Sequence, residues 1–327
     1  MCSSDLGDFS LFRIYADKDG NPANYSKDNV PLKPKKWLKI STEGVNEGDF
    51  AMMIGFPGST NKYYTSWEVA ERRDIDNNVR IDMRELRQEA MLEEMLNDPE
   101  VKIKYASKYS GSTNGYKNAI GTNWAINRYD FEQVKLDQQN RVLEWGRGNN
   151  EPKYQEALNE IEEIIKGRAN LRFRSRMLNE GISRGVEFAT IPTRTADNLA
   201  DAINNNNAEE IQKLSEQLLD EFNKFADKDY SRDVDKKVAK VMIKEYAKRI
   251  PKENQPEYFN VIYSYFNGDT DKFTDYIFDN SLFGDEDKLR EFLSSDLNVE
   301  VIYNDPMFRF SQSVREETLS LDRKSVV

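Results

Sequence analysis

Two short stretches hold the residue types that could do chemistry: Gly7-Asp8-Phe9-Ser10 and Ser112-Thr113-Asn114-Gly115-Tyr116-Lys117-Asn118. An aspartate at the mouth of a strand, held by neighbouring backbone N–H groups, can accept an imidazole N–H, fix its tautomer and stabilise the imidazolium of a Ser-His-Asp triad. An asparagine carbonyl can accept hydrogen bonds from a desolvated ammonium without itself titrating. The chain contains no histidine, so Asp8 has no imidazole in this sequence to orient. On residue type alone, Asp8 reads first as a turn residue or an N-cap, and Asn114 as a helix-cap or loop asparagine.

The elements that would have to position these residues belong to an acidic, hydrophilic chain. Its 327 residues carry 47 Lys and Arg against 58 Asp and Glu, a formal net charge of −11. A nucleic acid or an anionic membrane surface would require a basic face, so neither is expected as a partner. Cys2 is the only cysteine. With no histidine either, disulfides and most transition-metal sites fall away, leaving only hard-cation sites built from carboxylates; no metal or cofactor is assigned. No run of about 18 apolar residues is present, so no membrane span is expected. Residues 1–6 and 322–327 back-translate to the two strands of one oligonucleotide that resembles a common sequencing adapter. Both ends are set aside as an artefact, and the natural chain is expected to be cut on both sides.

The first fifty-odd residues read as β. Phe9, Leu11, Phe12, Ile14 and Tyr15 make an apolar-rich strand that ends in the turn signal Asp17-Lys18-Asp19-Gly20-Asn21-Pro22. Trp37-Leu38-Lys39-Ile40 gives a second strand. Phe50-Ala51-Met52-Met53-Ile54-Gly55-Phe56 gives a third, apolar on both faces as in a buried barrel strand, ended by Pro57-Gly58. After about residue 65 the period becomes helical. Tyr154, Leu158, Ile161 and Ile165 share a face, as do Ile211, Leu214, Leu218, Phe222 and Phe225, and again Val234, Val238, Val241, Met242 and Tyr246. Asn207 with Glu210 predicts an N-cap, residues 204–207 a polar linker, and Pro99, Pro192, Pro251 and Pro256 breaks in the series. The Tyr63, Tyr64 and Trp67 cluster reads as core packing, with a cleft lining as the alternative. The carboxylates between Met91 and Asp98 read as a solvated helix face. The expected fold class is α+β: the end of a β-domain followed by an all-α domain of many helices.

Three segments in order, Gly7-Asp8-Phe9-Ser10-Leu11-Phe12-Arg13, Gly55-Phe56-Pro57-Gly58-Ser59-Thr60-Asn61-Lys62-Tyr63 and Ser112 to Asn118, resemble the bacterial serine dipeptidyl-peptidases of the dipeptidyl-peptidase 7 and 11 type, serine peptidase family 46. The resemblance implies a chymotrypsin-like double barrel with a helical domain inserted as a lid. Residues 7–60 would be the C-terminal part of the first trypsin-like barrel, and 61–321 an incomplete helical lid. Asp8 matches the family's triad aspartate, and Asn114 matches an asparagine that contacts the substrate's free α-ammonium. One departure is Gly115, which stands directly after that asparagine where the family pattern has bulky aromatics.

The resemblance further implies oligopeptide substrates with a free N-terminus, acyl-enzyme chemistry, a homodimer, and a periplasmic, secreted or cell-surface location. His and Ser would then lie outside this segment, leaving it inactive as given. The competing reading is a stand-alone all-α binding or scaffold module without catalysis.

Overall fold

The computed structural model describes residues 12–39, 41–44, 46–50, 61–191 and 194–325. The chain separates into two units, Cys2–Lys62 and Tyr63–Val327. Asp8, the expected strand over 50–56 beyond its first residue, and the Gly55 to Gly58 turn lie outside the described residues.

In the first unit the described residues form one antiparallel pairing, β1 (Tyr15–Ala16) with β2 (Val30–Pro31). The turn after β1 is the one its sequence predicts. Asp17 Oδ1 accepts from the N–H groups of Asp19 at 2.9 Å and Asn21 at 2.8 Å, and Gly20 takes a φ of +83° that a side chain would disfavour. The expected barrel end is overturned. Among the described residues there is no barrel, and the second expected strand is absent, with Trp37 73% and Leu38 92% exposed. A barrel is stable because each strand is paired on both sides and buries alternate side chains. A pairing of two residues per strand supplies neither. The described chain is therefore mainly α, not α+β.

The second unit is a succession of helices. Thr65 opens α1 (Ser66–Glu71) with a capping box, its hydroxyl accepting from Glu68 N at 3.3 Å while the Glu68 carboxylate accepts from Thr65 N at 2.8 Å. A π-helical segment, Arg72–Asn77, joins α1 to α2 (Asn78–Asn97), and α3 (Pro99–Arg128), α4 (Phe131–Gly148), α5 (Lys153–Gly167) and α6 (Ala169–Leu178) follow. A second π-helical segment, Asn179–Ser183, ends α6. Then come α7 (Arg194–Asn204), α8 (Ala208–Asp229), α9 (Arg232–Arg249), α10 (Asn260–Ser264), α11 (Thr270–Asn280), α12 (Glu286–Leu293), α13 (Val299–Asn304) and α14 (Pro306–Ser325). Asn207 caps α8 as its spacing predicts, accepting from Glu210 N at 3.2 Å. On the α8 face Leu214 and Leu218 are buried; on the α9 face Val234, Val238, Met242 and Tyr246 are.

The core is aromatic where α14 crosses it. Phe310 meets Phe188 at 4.8 Å and Phe259 at 5.5 Å between ring centres, and all three are essentially inaccessible to solvent. Each such ring contributes roughly 1.5–3 kcal/mol by leaving water, with about 0.5–1.5 kcal/mol more per well-oriented pair.

A polar ladder sits beside this core. Glu71 takes a two-pronged grip from Arg168 (2.9 and 2.6 Å), and Asp76 takes one from Arg172 (2.8 and 2.7 Å) and another from Arg176 (2.7 and 3.2 Å). Glu180 in turn receives Arg80 at 2.9 Å and Arg84 at 2.8 Å. The partners are separated by 96 to 100 residues at every rung. A near-constant offset means that the α1–α2 segment and the α6 segment run side by side in the same direction.

Burial alone would push the Asp76 carboxyl up, but the hydrogen bonds from Arg172 and Arg176 outweigh it and hold the group below its ordinary value. A carboxylate with a lowered folded pKa stabilises the fold above its ordinary value of 3.8, and loses that contribution as pH falls through the folded pKa. Asp76→Ala, which leaves Arg72, Arg172 and Arg176 without their shared carboxylate, should cost about 3–5 kcal/mol in urea unfolding at pH 7 and much less near pH 2. Glu286→Ala, which breaks an exposed pair with Arg290, should leave the urea midpoint unchanged. Equal shifts for the two variants would show that the ladder is not what ties these segments together.

Candidate substrate-binding site

The second motif lies in the middle of α3, so its asparagine is neither a cap nor a loop residue. Asp98 starts this helix by accepting from Glu100 N at 2.8 Å and Val101 N at 3.4 Å, and Pro99 occupies the first helical position, where a missing N–H costs nothing. Gly111, Gly115 and Gly121 lie within the continuous helix, where each costs about 1 kcal/mol against alanine. Packing against α2 compensates.

That packing is polar and specific. Ser112, buried, has its hydroxyl bonded by Gln88 Nε2 at 3.0 Å, and Thr113 donates to Gln88 Oε1 at 3.1 Å. Tyr116 donates to Glu85 at 3.0 Å, and Arg84 Nη1 donates to the Ser112 carbonyl at 3.1 Å. Further along, Asn123 accepts from Asn77 Nδ2 at 2.7 Å and donates to Asn78 Oδ1 at 3.0 Å. Successive helical residues turn by roughly 100°. Residues 112, 113, 115 and 116 therefore occupy the arc that faces α2, and residue 114 the middle of the opposite arc. Asn114 is exposed, as are Lys117 and Asn118. The motif thus has one side that clamps α3 and one side that is presented.

Gly115 is explained by the clamp. A Cβ there would lie 2.0 Å from Arg84 Nη1 and 2.8 Å from Cζ, and Arg84 is held in place by Glu180 and the Ser112 carbonyl. A side chain at this position would have to displace a guanidinium that lies on the helix surface.

Of the remaining aromatic candidates, Tyr63 is exposed and Tyr64 and Trp67 are half-buried, so they are not the core cluster expected of them. The acidic stretch before α3 is used structurally. Glu93 and Glu94 bind Lys237 at 2.8 and 2.7 Å, and Asp98 caps α3. No group of three or more His, Cys, Asp or Glu residues able to hold a metal occurs among the described residues.

Beside the clamp, α2, α3, α9 and the Arg184 to Glu187 segment line a half-open cavity of about 410 Å³. Lys108 donates to both Glu187 and the Asp229 carbonyl in its wall. Asp235 is buried and accepts from Glu187 N and Phe188 N, both at 2.8 Å. Burial, reinforced by the charge of Glu187, pushes the Asp235 carboxyl up to about 7. Sequence reasoning passed over these residues. Arg80, Arg84 and Arg87, spaced to share one face of α2, were the available signal.

The peptidase S46 family profile matches residues 5–326 of this chain. The chain belongs to the peptidase S46 family. Among S46 relatives, it is 48% identical over 311 residues to the Asp/Glu-specific dipeptidyl-peptidase of Porphyromonas gingivalis, covering 95% of this chain and 43% of that protein. It is 40% identical to dipeptidyl-peptidase 7 of Phocaeicola vulgatus, covering 92% of this chain and 41% of that protein. A crystal structure of Porphyromonas endodontalis DPP11 in complex with the dipeptide Arg-Glu superposes with a TM-score of 0.83 at 42% identity, over 96% of this chain and 44% of that one. The chain thus spans less than half the length of the S46 relatives it matches.

The clamp sets two opposed effects on residue 115 of this S46 chain. Alanine should gain about 1 kcal/mol of helix propensity but displace charge-assisted bonds worth about 1.5–3 kcal/mol. Gly115→Ala should therefore destabilise the protein by about 0.5–2 kcal/mol in urea unfolding. In an Arg84→Ala background the same substitution should become stabilising. If the sign does not reverse, Arg84 is not the reason for the glycine.

Proposed function

We propose that this chain is the lid-bearing part of a serine-type dipeptidyl-peptidase, in which Asn114 receives the free α-ammonium of an oligopeptide and Asp8 orients a histidine that lies outside this sequence. Family membership and the names of its relatives support the reaction class. The observation that carries the role of Asn114 is its placement: Ser112, Thr113, Gly115 and Tyr116 face α2, and Asn114 is presented from the middle of the opposite arc of the helix, exposed as Lys117 and Asn118 also are.

An enzyme that removes dipeptides has to measure two residues back from the scissile bond to a charged amine. A fixed neutral acceptor does this without adding a charge that must itself be desolvated. The acyl-enzyme steps need a serine nucleophile and a histidine base, and the sequence has no histidine. As given, this polypeptide should therefore release no dipeptide. The same resemblance supports a periplasmic, secreted or cell-surface location and a homodimeric full-length enzyme, which cell fractionation and analytical sedimentation test.

In the full-length enzyme, Asp8→Asn should lower kcat roughly 10⁴-fold with little change in KM, because the charge that stabilises the imidazolium is lost while the shape is kept. Asn114→Ala should cost about 1.5–3 kcal/mol in kcat/KM on free-amine peptides, the range for a hydrogen bond to a charged group. The same variant should lose much less on N-acetylated peptides. An unchanged ratio of free-amine to acetylated kcat/KM between wild type and Asn114→Ala would remove Asn114 from the site.

A further inference from the structure

The ladder between the α1–α2 and α6 segments has one rung of a different kind. Arg87 reaches Arg184 across 97 residues, the same offset as the other rungs, but its Nη1 finds the Arg184 backbone carbonyl where the earlier rungs pair carboxylate with arginine. A guanidinium has five N–H donors. The Arg87 Nε N–H is buried and meets no acceptor among the described residues. Burial and the neighbouring Arg84 hold this guanidinium down to about 10, well below the ordinary arginine range. Arg87 as a whole is half-buried, and Glu180 and Glu187 act on it only at a distance; a partly desolvated cation without a paired carboxylate is costly, and the cost falls when an anion is supplied.

Arg87 lines the cavity of about 410 Å³, together with Arg84, Lys108 and Arg184 as cations and Glu187 and Asp235 as acids. The acids are already committed. Glu187 is bonded to Lys108, and Asp235 accepts from two backbone N–H groups and from Tyr230 OH at 3.3 Å. Arg84 and Lys108 are likewise matched, by Glu180 and Glu187. Arg87 has neither an ion pair nor a carboxylate acceptor among the described residues. Met91, Val238 and Tyr105 supply the larger apolar surfaces of the remaining wall, beside Gly111, Ser112 and Gly185.

We propose that this cavity is an anion-binding site, separate from the presented face of α3, that takes a small carboxylate with a short apolar body, its oxygens on the Arg87 guanidinium and its body against Met91 and Val238. A carboxylate oxygen can accept a charge-assisted hydrogen bond from a guanidinium N–H that faces the cavity. Phosphate shares the oxyanion chemistry but would leave the apolar wall uncovered.

The test uses the 327-residue chain with butyrate, inorganic phosphate and chloride as separate probes at matched ionic strength. Butyrate should raise the Tm saturably and more than phosphate does, and it should shift the Arg87 Nε–H resonance in ¹⁵N-labelled protein. Arg87→Met should weaken butyrate binding at least tenfold. Arg290→Met, at an exposed arginine distant in sequence, should leave it unchanged. The Nε–H measurement needs no variant, so a poorly folding Arg87→Met does not remove the test. The site is refuted by an unmoved Arg87 resonance at saturating butyrate, or by a Tm gain that chloride reproduces or that persists in Arg87→Met. A larger response to phosphate than to butyrate would refute the carboxylate and its apolar seat.

Discussion

A carboxylate buried between two helical segments must be met by hydrogen-bond donors, and three times along one line here those donors are guanidinium groups. Glu71, Asp76 and Glu180 each fix where arginines from the other segment must lie. The effect on net stability is smaller than the number of bonds implies, because desolvation offsets much of the attraction. The effect on register is larger. Sliding one segment by a single helical turn would leave several buried charges unmatched at once, whereas an apolar seam would tolerate the slip. The two π-helical segments fall within this line, at Arg72–Asn77 and Asn179–Ser183, where an extra residue per turn re-aims the side chains that follow.

The clamp on α3 is built on the ladder. Arg84 is both a rung, through Glu180, and the guanidinium that lies over Gly115 and holds the Ser112 carbonyl. The position of the presented face of α3 is thus set by charges from elsewhere in the sequence, Arg84 on α2 and Glu180 beyond α6. A site mounted this way needs no loop to order when ligand arrives, and binding does not have to offset that entropy.

Local patterns were legible in the sequence and long-range ones were not. The helical faces of α8 and α9, the Asn207 cap and the turn at Asp17 all depend on neighbours within a few positions, and all are present. The ladder joins residues about a hundred apart. Glu71 or Asp76 in isolation looks like any helix-surface acid, although Arg168, Arg172 and Arg176 at four-residue spacing mark an arginine stripe that asks for partners. Strands were expected from runs such as Trp37 to Ile40, and a barrel from the run Phe50 to Phe56 and through resemblance. Those runs carry β propensity, but propensity becomes a sheet only against partner strands, and Trp37 and Leu38 are exposed here. The Ser112 to Asn118 motif was found by its composition, while its division into a clamping side and a presented side follows from helix geometry. Asp8 lies outside the described residues, so its role rests on the sequence alone.

Because α3 is one uninterrupted helix of 30 residues, it is about 45 Å long, and residue 114 is carried near its midpoint, roughly 22 Å from either end. Whatever that residue contacts is held at the tip of a lever arm. A rotation of only about 5° about either end would carry the side chain about 2 Å, enough to break a hydrogen bond whose useful range is a few tenths of an ångström. The tilt of a single helix would thereby act as a gain control on any contact made at its centre, and substitutions at Arg84 or Glu180 would reach that contact mechanically, without touching it.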